Sequence, residues 1–140
     1  MITFNEINHI EDVISTLDFA DEIIVVDSYS TDGTFEKLSS MNTIKVFQRE
    51  FENFADQRNF AIEQAHCEWI FFIDADERLT IESQKEIVQT ATCNGAINAF
   101  KIPRKFIFNN KVMRFSGLQT DRVFRLFKKG ITKYREDKLV

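Results

Sequence analysis

At 140 residues the chain fits a single domain, and a hydrophobic content of 44% that includes 15 Phe is sufficient for a packed core. The sequence excludes a membrane-spanning helix, which needs roughly 18 consecutive apolar residues, and no signal peptide is predicted at its start. Cys67 and Cys93 lack metal-ligand spacing, which is typical of reduced thiols in a cytosolic protein.

The net charge of −4 is divided unevenly along the chain. Residues 1–100 carry 6 Lys and Arg against 19 Asp and Glu, whereas residues 101–140 carry 12 against 3. A basic tail after an acidic body predicts an anionic partner, such as a phosphorylated acceptor or a membrane surface. The sequence leaves open the alternative that the two parts of the chain simply neutralise each other.

The first predicted elements are a short strand and an amphipathic helix. Residues 2–4 have the pattern of a strand, and the helix that follows repeats apolar residues at helical spacing. These apolar positions are Ile7, Ile10, Val13, Ile14 and Leu17. Asn8 and Glu11 have the spacing of a capping box, which would begin this helix.

Strand and helix patterns then alternate as far as residue 95. The predicted strands lie at 22–27, 43–48 and 69–74, and the predicted helices are a short one ending at residue 38 and longer ones at 54–66 and 81–92. A polar turn at 28–34 separates the first of these strands from its helix. Such alternation predicts an α/β fold in which a mostly parallel, Rossmann-like sheet is flanked by helices.

From about residue 96 the apolar period changes to two. Apolar residues alternate with basic ones up to residue 108, and Pro103 interrupts the run. A turn at 109–111 predicts a hairpin into a strand at 112–115, and a further strand is predicted at 121–127. We therefore expect one domain over residues 1–140, with an α/β half at 1–95 and an antiparallel, hairpin-containing half at 96–140.

Carboxylates stand where two of the predicted strands end. The apolar run at 69–73 stops at Asp74 and Asp76, and the earlier strand stops at Asp27. Neighbouring parallel strands deliver their carboxyl ends to the edge of the sheet where ligands bind, so these side chains are expected to converge. Two carboxylates can share a divalent cation that in turn holds a diphosphate. The alternatives are an acidic strand end without function and, for Asp27, a turn-capping role before Ser28.

Four segments, in order and at suitable intervals, resemble motifs of the family 2 glycosyltransferases. They are 3–6 (Thr-Phe-Asn-Glu), 20–34 (which contains Ile-Ile-Val-Val-Asp-Ser), 54–61 (which contains Arg-Asn) and 73–78 (an Asp-x-Asp motif). The resemblance covers essentially the whole chain. It implies the GT-A fold, which is consistent with the α/β pattern of the sequence.

A second, narrower resemblance is to the lipopolysaccharide-core glucosyltransferase branch of that family. Residues 117–130 (Gly-Leu-Gln-Thr-Asp-Arg-Val-Phe-Arg-Leu-Phe-Lys-Lys-Gly) are similar to a run that leads into Arg-Leu-Phe-Arg-Lys-Gly in that branch. The aromatic residues usual after the first glycine of that run are absent here. The sequence therefore indicates the family of the enzyme more specifically than it indicates the acceptor of the sugar.

The resemblance implies that the chain binds a nucleoside diphosphate sugar. The donor-binding positions carried over by motif are Thr3, Asn5, Glu6, Asp27, Arg58, Asp74 and Ala75. Within this set Asp27 would contact the base, Arg58 the base or the phosphates, and Asp74 the ribose. The alternative for Arg58 is a solvated helix residue paired with Glu63 or Glu52.

The same resemblance implies a metal ion and a general base. Asp76 and Asp74 would bind Mg²⁺ or Mn²⁺, which would stabilise the charge of the departing diphosphate. In the resembled branch the base belongs to a Val-His-Glu-like segment, and this sequence reaches Val140 before such a segment appears. Asp121 and Asp137 are weaker candidates for the base, with a solvated turn as the alternative for Asp137. We therefore expect a fragment that binds donor and metal but has little or no transfer activity.

These observations predict an inverting glycosyltransferase that moves a sugar from a UDP-glucose-like donor to a cell-envelope glycolipid or polysaccharide. The alternative is a truncated, inactive nucleotide-sugar-binding module. A phosphotransferase of the haloacid dehalogenase type is disfavoured because its Asp-x-Asp pair belongs on the first strand, and a nucleic-acid partner is disfavoured because the Phe residues beyond 100 alternate as in a strand core. We expect a cytoplasmic protein with peripheral contact to the inner face of the membrane through the basic segment 101–138.

Overall fold

The computed structural model describes residues 1–93, 95–109, 111–113, 122–131 and 133–135, with Phe108 described by its backbone alone. Its elements in chain order are β1 (Ile2–Thr3), α1 (Ile10–Ser15), β2 (Ile23–Asp27), α2 (Thr34–Ser39), β3 (Ile44–Gln48), α3 (Phe54–Gln64), β4 (Trp69–Phe71), α4 (Ile81–Thr92), β5 (Ala99–Pro103), β6 (Ile107–Phe108), β7 (Lys111–Val112) and β8 (Arg122–Lys128). The predicted alternation of strands and helices over the first part of the chain is confirmed.

The first three strands form a parallel sheet in the order β1-β2-β3. Ile2 pairs with Val26, and Ile23 pairs with Ile44, so the central strand β2 has a partner on each side. Val25 and Val26 are fully buried because helices cover both faces of this strand, as parallel sheets require. The parallel sheet expected from the sequence is present over these strands.

The fourth strand is paired differently from the expectation. The sequence predicts a strand over 69–74 in the parallel sheet, whereas β4 ends at Phe71 and pairs antiparallel with β8, Ile70 opposite Phe127. The N–H of Phe72 still donates to the carbonyl oxygen of Arg125 at 2.7 Å, although Phe72 itself no longer belongs to the strand. The reason is that β8 presents its own buried apolar residues beside β4, and a pairing between segments so distant in sequence leaves no local pattern.

The second sheet has the order β4-β8-β5, and the hairpin β6–β7 stands apart from it. Ile107 pairs with Val112 and Phe108 with Lys111, which confirms the predicted hairpin, although Lys111 belongs to β7 rather than to the turn. The α/β class with a C-terminal antiparallel portion is thus confirmed. The predicted strand residues 114 and 115 lie outside the described residues.

Two helices begin at side-chain caps that the sequence pattern did not single out. The Oδ1 of Asn53 accepts from the N–H of Asp56 at 2.8 Å at the start of α3, and the Oγ1 of Thr80 accepts from the N–H of Ser83 at 3.2 Å at the start of α4. The capping box predicted for α1 is wrong. That helix begins at Ile10 without a side-chain cap, because the carbonyl oxygen of Glu6 already accepts from the N–H groups of His9 and Ile10.

The hydrophobic core consists of two clusters that share β2 and the segment after β4. Val25 packs with Ile73 and Ala75 on the side of α1, and Val26 packs with Phe72 on the side of α3. Alternate residues of each segment therefore face opposite sides, so the segment 72–75 runs through the same core as β2. In the part of the chain that the structure describes, no helix is long and apolar enough to cross a membrane.

Candidate functional site

The loops that follow β1 and β2 are joined by hydrogen bonds into one rim. The N–H of Asn5 donates to Ser30 Oγ at 2.8 Å, and the N–H of Thr31 donates back to Asn5 Oδ1 at the same distance. Asn5 and Tyr29 both adopt left-handed backbone conformations, with φ of 55° and 59°, which turn the chain sharply at this rim. The predicted donor-binding residue Asn5 therefore lies on an exposed, well-braced loop.

Glu6 and Thr3 lie at the inner end of this rim. The N–H of Glu6 donates to Thr34 Oγ1 at 2.9 Å, and Thr34 Oγ1 donates to Asp32 Oδ1 at 2.6 Å. Burial by itself would raise the pKa of Asp32, whereas hydrogen bonds from Thr34 and from the backbone of Ile7 hold that pKa below its usual value. Thr3 is buried and its hydroxyl has no partner among the described residues. Donor contacts of Thr3 and Glu6 stay predictions.

Asp27 is fully buried at the end of β2, and its carboxylate is bonded within its own loop. It accepts from the N–H of Ser30 at 2.9 Å, from Ser30 Oγ at 2.5 Å and from Gln48 Nε2 at 3.4 Å. This arrangement is the turn-capping role that the sequence left open. Contact with a nucleobase stays a prediction for Asp27, and in this structure its carboxylate shapes the loop that carries Tyr29 and Ser30.

The first turns of α3 link the ends of the neighbouring strands. Gln57 is fully buried and donates to Ser28 Oγ at 3.0 Å and to the carbonyl oxygen of Arg49 at 3.2 Å. The next residue, Arg58, donates to Asp74 Oδ1 at 3.3 Å. Consecutive residues of one helix thus contact the chain after β2, after β3 and after β4. The ends of these three strands therefore meet at the start of α3, although β4 belongs to the second sheet.

Asp74 lies between two guanidinium groups. Arg125 Nη2 donates to its Oδ2 at 2.6 Å, and the same nitrogen donates to Glu77 Oε1 at 2.8 Å. Burial by itself would raise the pKa of Asp74, but Arg125 and Arg58 hold that pKa below its usual value. Burial by itself would lower the pKa of Arg125, and the two carboxylates raise it instead. The carboxylate of Asp74 is therefore charged and already balanced by cations.

Arg125 and Glu77 are functional candidates that sequence reasoning missed as site residues. Arg125 is only 6% exposed, and it reaches Asp74 because β8 pairs with β4. Local pattern gave no signal for it, because an arginine between the apolar residues Phe124 and Leu126 is expected on the solvent face of an alternating strand. In β8, Arg125, Leu126 and Phe127 are instead buried in succession.

Arg58 belongs to the site rather than to the solvent. The sequence left open a pairing with Glu63 or Glu52, and the structure instead pairs Arg58 with Asp74 and half-buries it. Its guanidinium lies 5.2 Å from the ring centre of Tyr134 and 5.7 Å from that of Phe72. The guanidinium is thus surrounded by aromatic faces at the carboxyl edge of the strands.

Asp76 and Ala75 follow Asp74 in different environments. Ala75 is buried in the core, whereas Asp76 is exposed and has no hydrogen-bond or ion-pair partner in the described part of the chain. Within those same residues, no cluster of three His, Cys, Asp or Glu side chains could hold a metal by itself. A lone unpaired carboxylate beside a paired one fits an ion such as Mg²⁺, which takes one or two protein carboxylates and completes its shell with phosphate and water.

The remaining predicted site positions, Asp121 and Asp137, are the candidates for the general base, and both lie outside the described residues. Residues 117–121 of the run that resembles the lipopolysaccharide-core branch lie outside them as well. The described end of that run contains β8 and with it Arg125. The described site is therefore the rim formed by the loops after β1 and β2 together with Arg58, Asp74 and Arg125.

The fold and this rim define an α/β domain with charged and aromatic residues at the carboxyl ends of its strands. The sequence model of the family Glycosyl transferase family 2 matches residues 1–139, and the chain belongs to that family.

Curated relatives carry the same class of name. The chain is 28% identical over 138 residues to the lipopolysaccharide core biosynthesis glycosyltransferase LpsC of Rhizobium meliloti (strain 1021), a match that covers 96% of this chain and 51% of LpsC. It is 36% identical over 94 residues to the prophage-derived glycosyltransferase SunS of Bacillus subtilis (strain 168), covering 65% of this chain and 22% of SunS. The chain thus spans about half the length of LpsC and less of SunS.

Solved structures of S. aureus TarS share the fold. The TarS structure in complex with UDP-GlcNAc aligns with a TM-score of 0.53 and 29% identity, over 63% of this chain and 28% of that one. A second TarS structure aligns with a TM-score of 0.56 over 91% of this chain and 45% of that one, and at 22% identity it shows the fold alone. The expected GT-A fold is confirmed.

Proposed function

We propose that this domain binds a UDP-sugar and transfers the sugar, with inversion, to a cell-envelope glycolipid or polysaccharide. The observation that carries the proposal is the rim at which Arg58, Asp74 and Arg125 meet beside the unpaired Asp76. The guanidinium groups at this rim can bind a diphosphate, and the unpaired carboxylate can bind the metal ion that accompanies the diphosphate. The TarS structure that contains UDP-GlcNAc supports the donor class.

Each residue of the rim has a distinct task in this proposal. Asn5 and Asp27 brace the loop that lines the base and ribose side. Arg58 keeps N–H groups for the phosphates, because a single hydrogen bond to Asp74 uses only part of its donors. Asp76, with Asp74 beside it, would hold Mg²⁺ or Mn²⁺, and the bound ion would supply charge stabilisation for the departing diphosphate.

The acceptor side of the proposal depends on the antiparallel half. Its described basic residues include Lys101, Lys105 and Lys111, all exposed, and the hairpin also exposes Ile107 and Val112. Basic side chains beside exposed apolar ones suit an anionic lipid or a phosphorylated glycolipid at a membrane surface. The name of LpsC supports a lipopolysaccharide-type acceptor. We therefore propose a peripheral position at the inner face of the membrane.

The donor and metal assignments are tested by calorimetric titration of UDP with and without Mn²⁺. We expect Mn²⁺ to tighten UDP binding to the wild-type chain roughly tenfold or more, since two protein carboxylates and the diphosphate would share the ion. Asp76→Ala should remove this Mn²⁺ dependence. The matched control is Glu86→Ala, which removes one exposed carboxylate on α4 with the same change in charge.

Two results would contradict the assignments. If the wild-type chain bound no UDP, the donor proposal would be wrong. If Asp76→Ala kept the full Mn²⁺ dependence, Asp76 would not be a metal ligand.

Asp121→Asn and Asp137→Asn, assayed by release of UDP in the presence of an acceptor, test the two candidates for the general base.

Binding without transfer is the second candidate function, because Arg58, Asp74 and Asp76 account for donor and metal binding, whereas Asp121 and Asp137 lie outside the described residues. Turnover separates the two. A chain that binds UDP with Mn²⁺ but releases no UDP from UDP-glucose in the presence of a lipopolysaccharide-core acceptor would be a binding module. Sugar transfer at about 1 s⁻¹ or faster would be ordinary enzymatic activity.

A further inference from the structure

Asn59 joins two parts of the chain that are far apart in sequence. Its side-chain Nδ2 donates to the carbonyl oxygen of Tyr134 at 2.9 Å, and its Oδ1 accepts from the N–H of Tyr134 at 2.8 Å, across 75 residues of sequence. One amide side chain therefore satisfies both backbone groups of the same residue. This pairing fixes the segment 133–135 against α3, although that segment belongs to neither a helix nor a strand.

The ring of Tyr134 packs into an aromatic cluster beside the rim. Its centre lies 5.6 Å from that of Phe72 and 6.5 Å from that of Phe127, in both cases with edge-to-face geometry. Burial raises the pKa of the Tyr134 hydroxyl, which is consistent with a ring held inside the protein. Phe72 and Phe127 belong to the core, so the ring of Tyr134 extends the core to the surface of the site.

Arg58 is held mainly by these aromatic rings. Its guanidinium lies 5.2 Å from the centre of Tyr134, 5.7 Å from that of Phe72 and 5.8 Å from that of Phe54. The single hydrogen bond found for it goes to Asp74 at 3.3 Å, and its Nε–H is buried without a partner in the described part of the chain. An arginine side chain has large rotamer freedom, which such ring contacts remove.

We propose that Asn59 and Tyr134 are positioning residues that hold Arg58 for the diphosphate of the nucleotide-sugar donor. This inference rests on the proposed donor binding and assigns a task to the Asn of the Arg-Asn pair. Asn59 fixes the backbone of Tyr134, and the ring of Tyr134 covers Arg58. Because its Nε–H is buried, Arg58 keeps for the anionic ligand those N–H groups of its two Nη atoms that Asp74 does not accept. Docking of the segment 133–135 and binding of the donor therefore favour each other, since each stabilises the same arrangement of Arg58.

The first test compares UDP with uridine, which lacks the phosphates. For Tyr134→Ala and Asn59→Ala we expect the dissociation constant of UDP to rise roughly tenfold, because the ring contact on Arg58 is lost, while that of uridine stays within about twofold. Tyr134→Phe keeps the ring and should bind UDP as the wild-type chain does. Equal weakening of UDP and uridine would overturn the proposal, because it would mean a general structural role, and so would an unchanged UDP affinity in Tyr134→Ala.

The second test needs no ligand. The exchange of the Arg58 Nε–H with water is measured by NMR, with the signal assigned by its loss in Arg58→Lys. We expect slow exchange in the wild-type chain and in Tyr134→Phe, and fast exchange in Tyr134→Ala. Slow exchange in Tyr134→Ala would overturn the proposal that the Tyr134 ring holds Arg58.

Two controls keep the outcomes distinct. If Tyr134→Ala fails to fold, Asn59→Asp replaces it. This variant keeps the acceptor for the Tyr134 N–H and loses the donor to the Tyr134 carbonyl oxygen. The results expected of Tyr134→Ala are then expected of Asn59→Asp, and the results that would overturn the proposal are also unchanged. If the wild-type chain binds no UDP, the proposed donor function fails. The exchange of the Arg58 Nε–H then decides by itself whether the Tyr134 ring holds Arg58.

Discussion

The two halves of the domain contribute to the rim by different kinds of interaction. In the parallel half the loops are braced by hydrogen bonds between neighbouring loops, such as those of Asn5 with Ser30 and Thr31. The antiparallel half contributes an ion pair and an aromatic contact, through Arg125 and Tyr134. The difference shows that hydrogen bonds within the parallel half shape the rim, whereas the antiparallel half adds one cation, Arg125, and the ring that contacts Arg58.

The uneven charge of the sequence has a structural counterpart at the border of the two halves. Basic residues of the second half pair with acidic residues of the first, with Arg125 on Asp74, Lys128 on Glu68 at 2.8 Å and Lys133 on Glu63 at 4.0 Å. Mutual neutralisation, which the sequence left open, therefore occurs at this border. Lys101, Lys105 and Lys111 are exposed, and their binding to an anionic partner stays a prediction.

The strongest way to break this comparison is Arg125→Met. Removing the cation leaves Asp74 and Glu77 half-buried with less compensation, so we expect the free energy of unfolding to fall by about 3 kcal/mol. Urea denaturation followed by circular dichroism measures this loss. The control is Lys133→Met, which removes a cation from an exposed pair and should cost less than about 0.5 kcal/mol. Equal stability of the two variants would show that the buried pair does not hold the halves together.

The parallel half is tested by Gln57→Ala. Gln57 is fully buried and bridges Ser28 and Arg49, so its removal leaves polar groups without partners and should lower the free energy of unfolding by about 2 kcal/mol. The control Gln89→Ala, at an exposed position of α4, should change it by less than about 0.5 kcal/mol. Chemical denaturation checks both values. An equally small effect at Gln57 would mean that α3 does not brace the strand ends.

The pH dependence of the stability tests the ion pair between Asp74 and Arg125. Because the pKa of Asp74 is held below its usual value in the folded chain, its contribution to stability is fully present above the unfolded pKa of about 3.9 and is lost as the pH falls through the folded pKa. In Arg125→Met burial is less opposed, so we expect that variant to lose less stability than the wild-type chain on acidification from pH 5 to pH 2. Thermal unfolding across this range measures the difference, and parallel curves for the two proteins would contradict it.

The smallest effect on stability is expected in the hairpin. Ile107 is 67% exposed, so Ile107→Ser should change the free energy of unfolding by less than about 0.5 kcal/mol. If the basic half meets a membrane, the same substitution should weaken binding to vesicles that contain anionic lipid. Ile97→Ser, at another exposed position outside the hairpin, is the control in a vesicle sedimentation assay. Equal binding of both variants and the wild-type chain would argue against membrane contact through the hairpin.

The sequence by itself determined the order and type of most elements. The predicted bounds of α4 agree with the structure, and the hairpin lies where the turn residues placed it. These features depend on local periodicity and turn chemistry, which a single sequence records directly. The ordered motifs likewise sufficed to indicate the family that the comparisons confirmed.

Only the tertiary structure decided which side chains meet. Asp27 has the same strand-end pattern as Asp74, yet one is bonded within its own loop and the other lies between two arginines. Arg125 reaches Asp74 through the pairing of β8 with β4, and Tyr134 reaches Asn59 across 75 residues. The physical reason is that such contacts depend on strand register and core packing over the whole chain. The spacing of residues along the sequence does not reveal either of them.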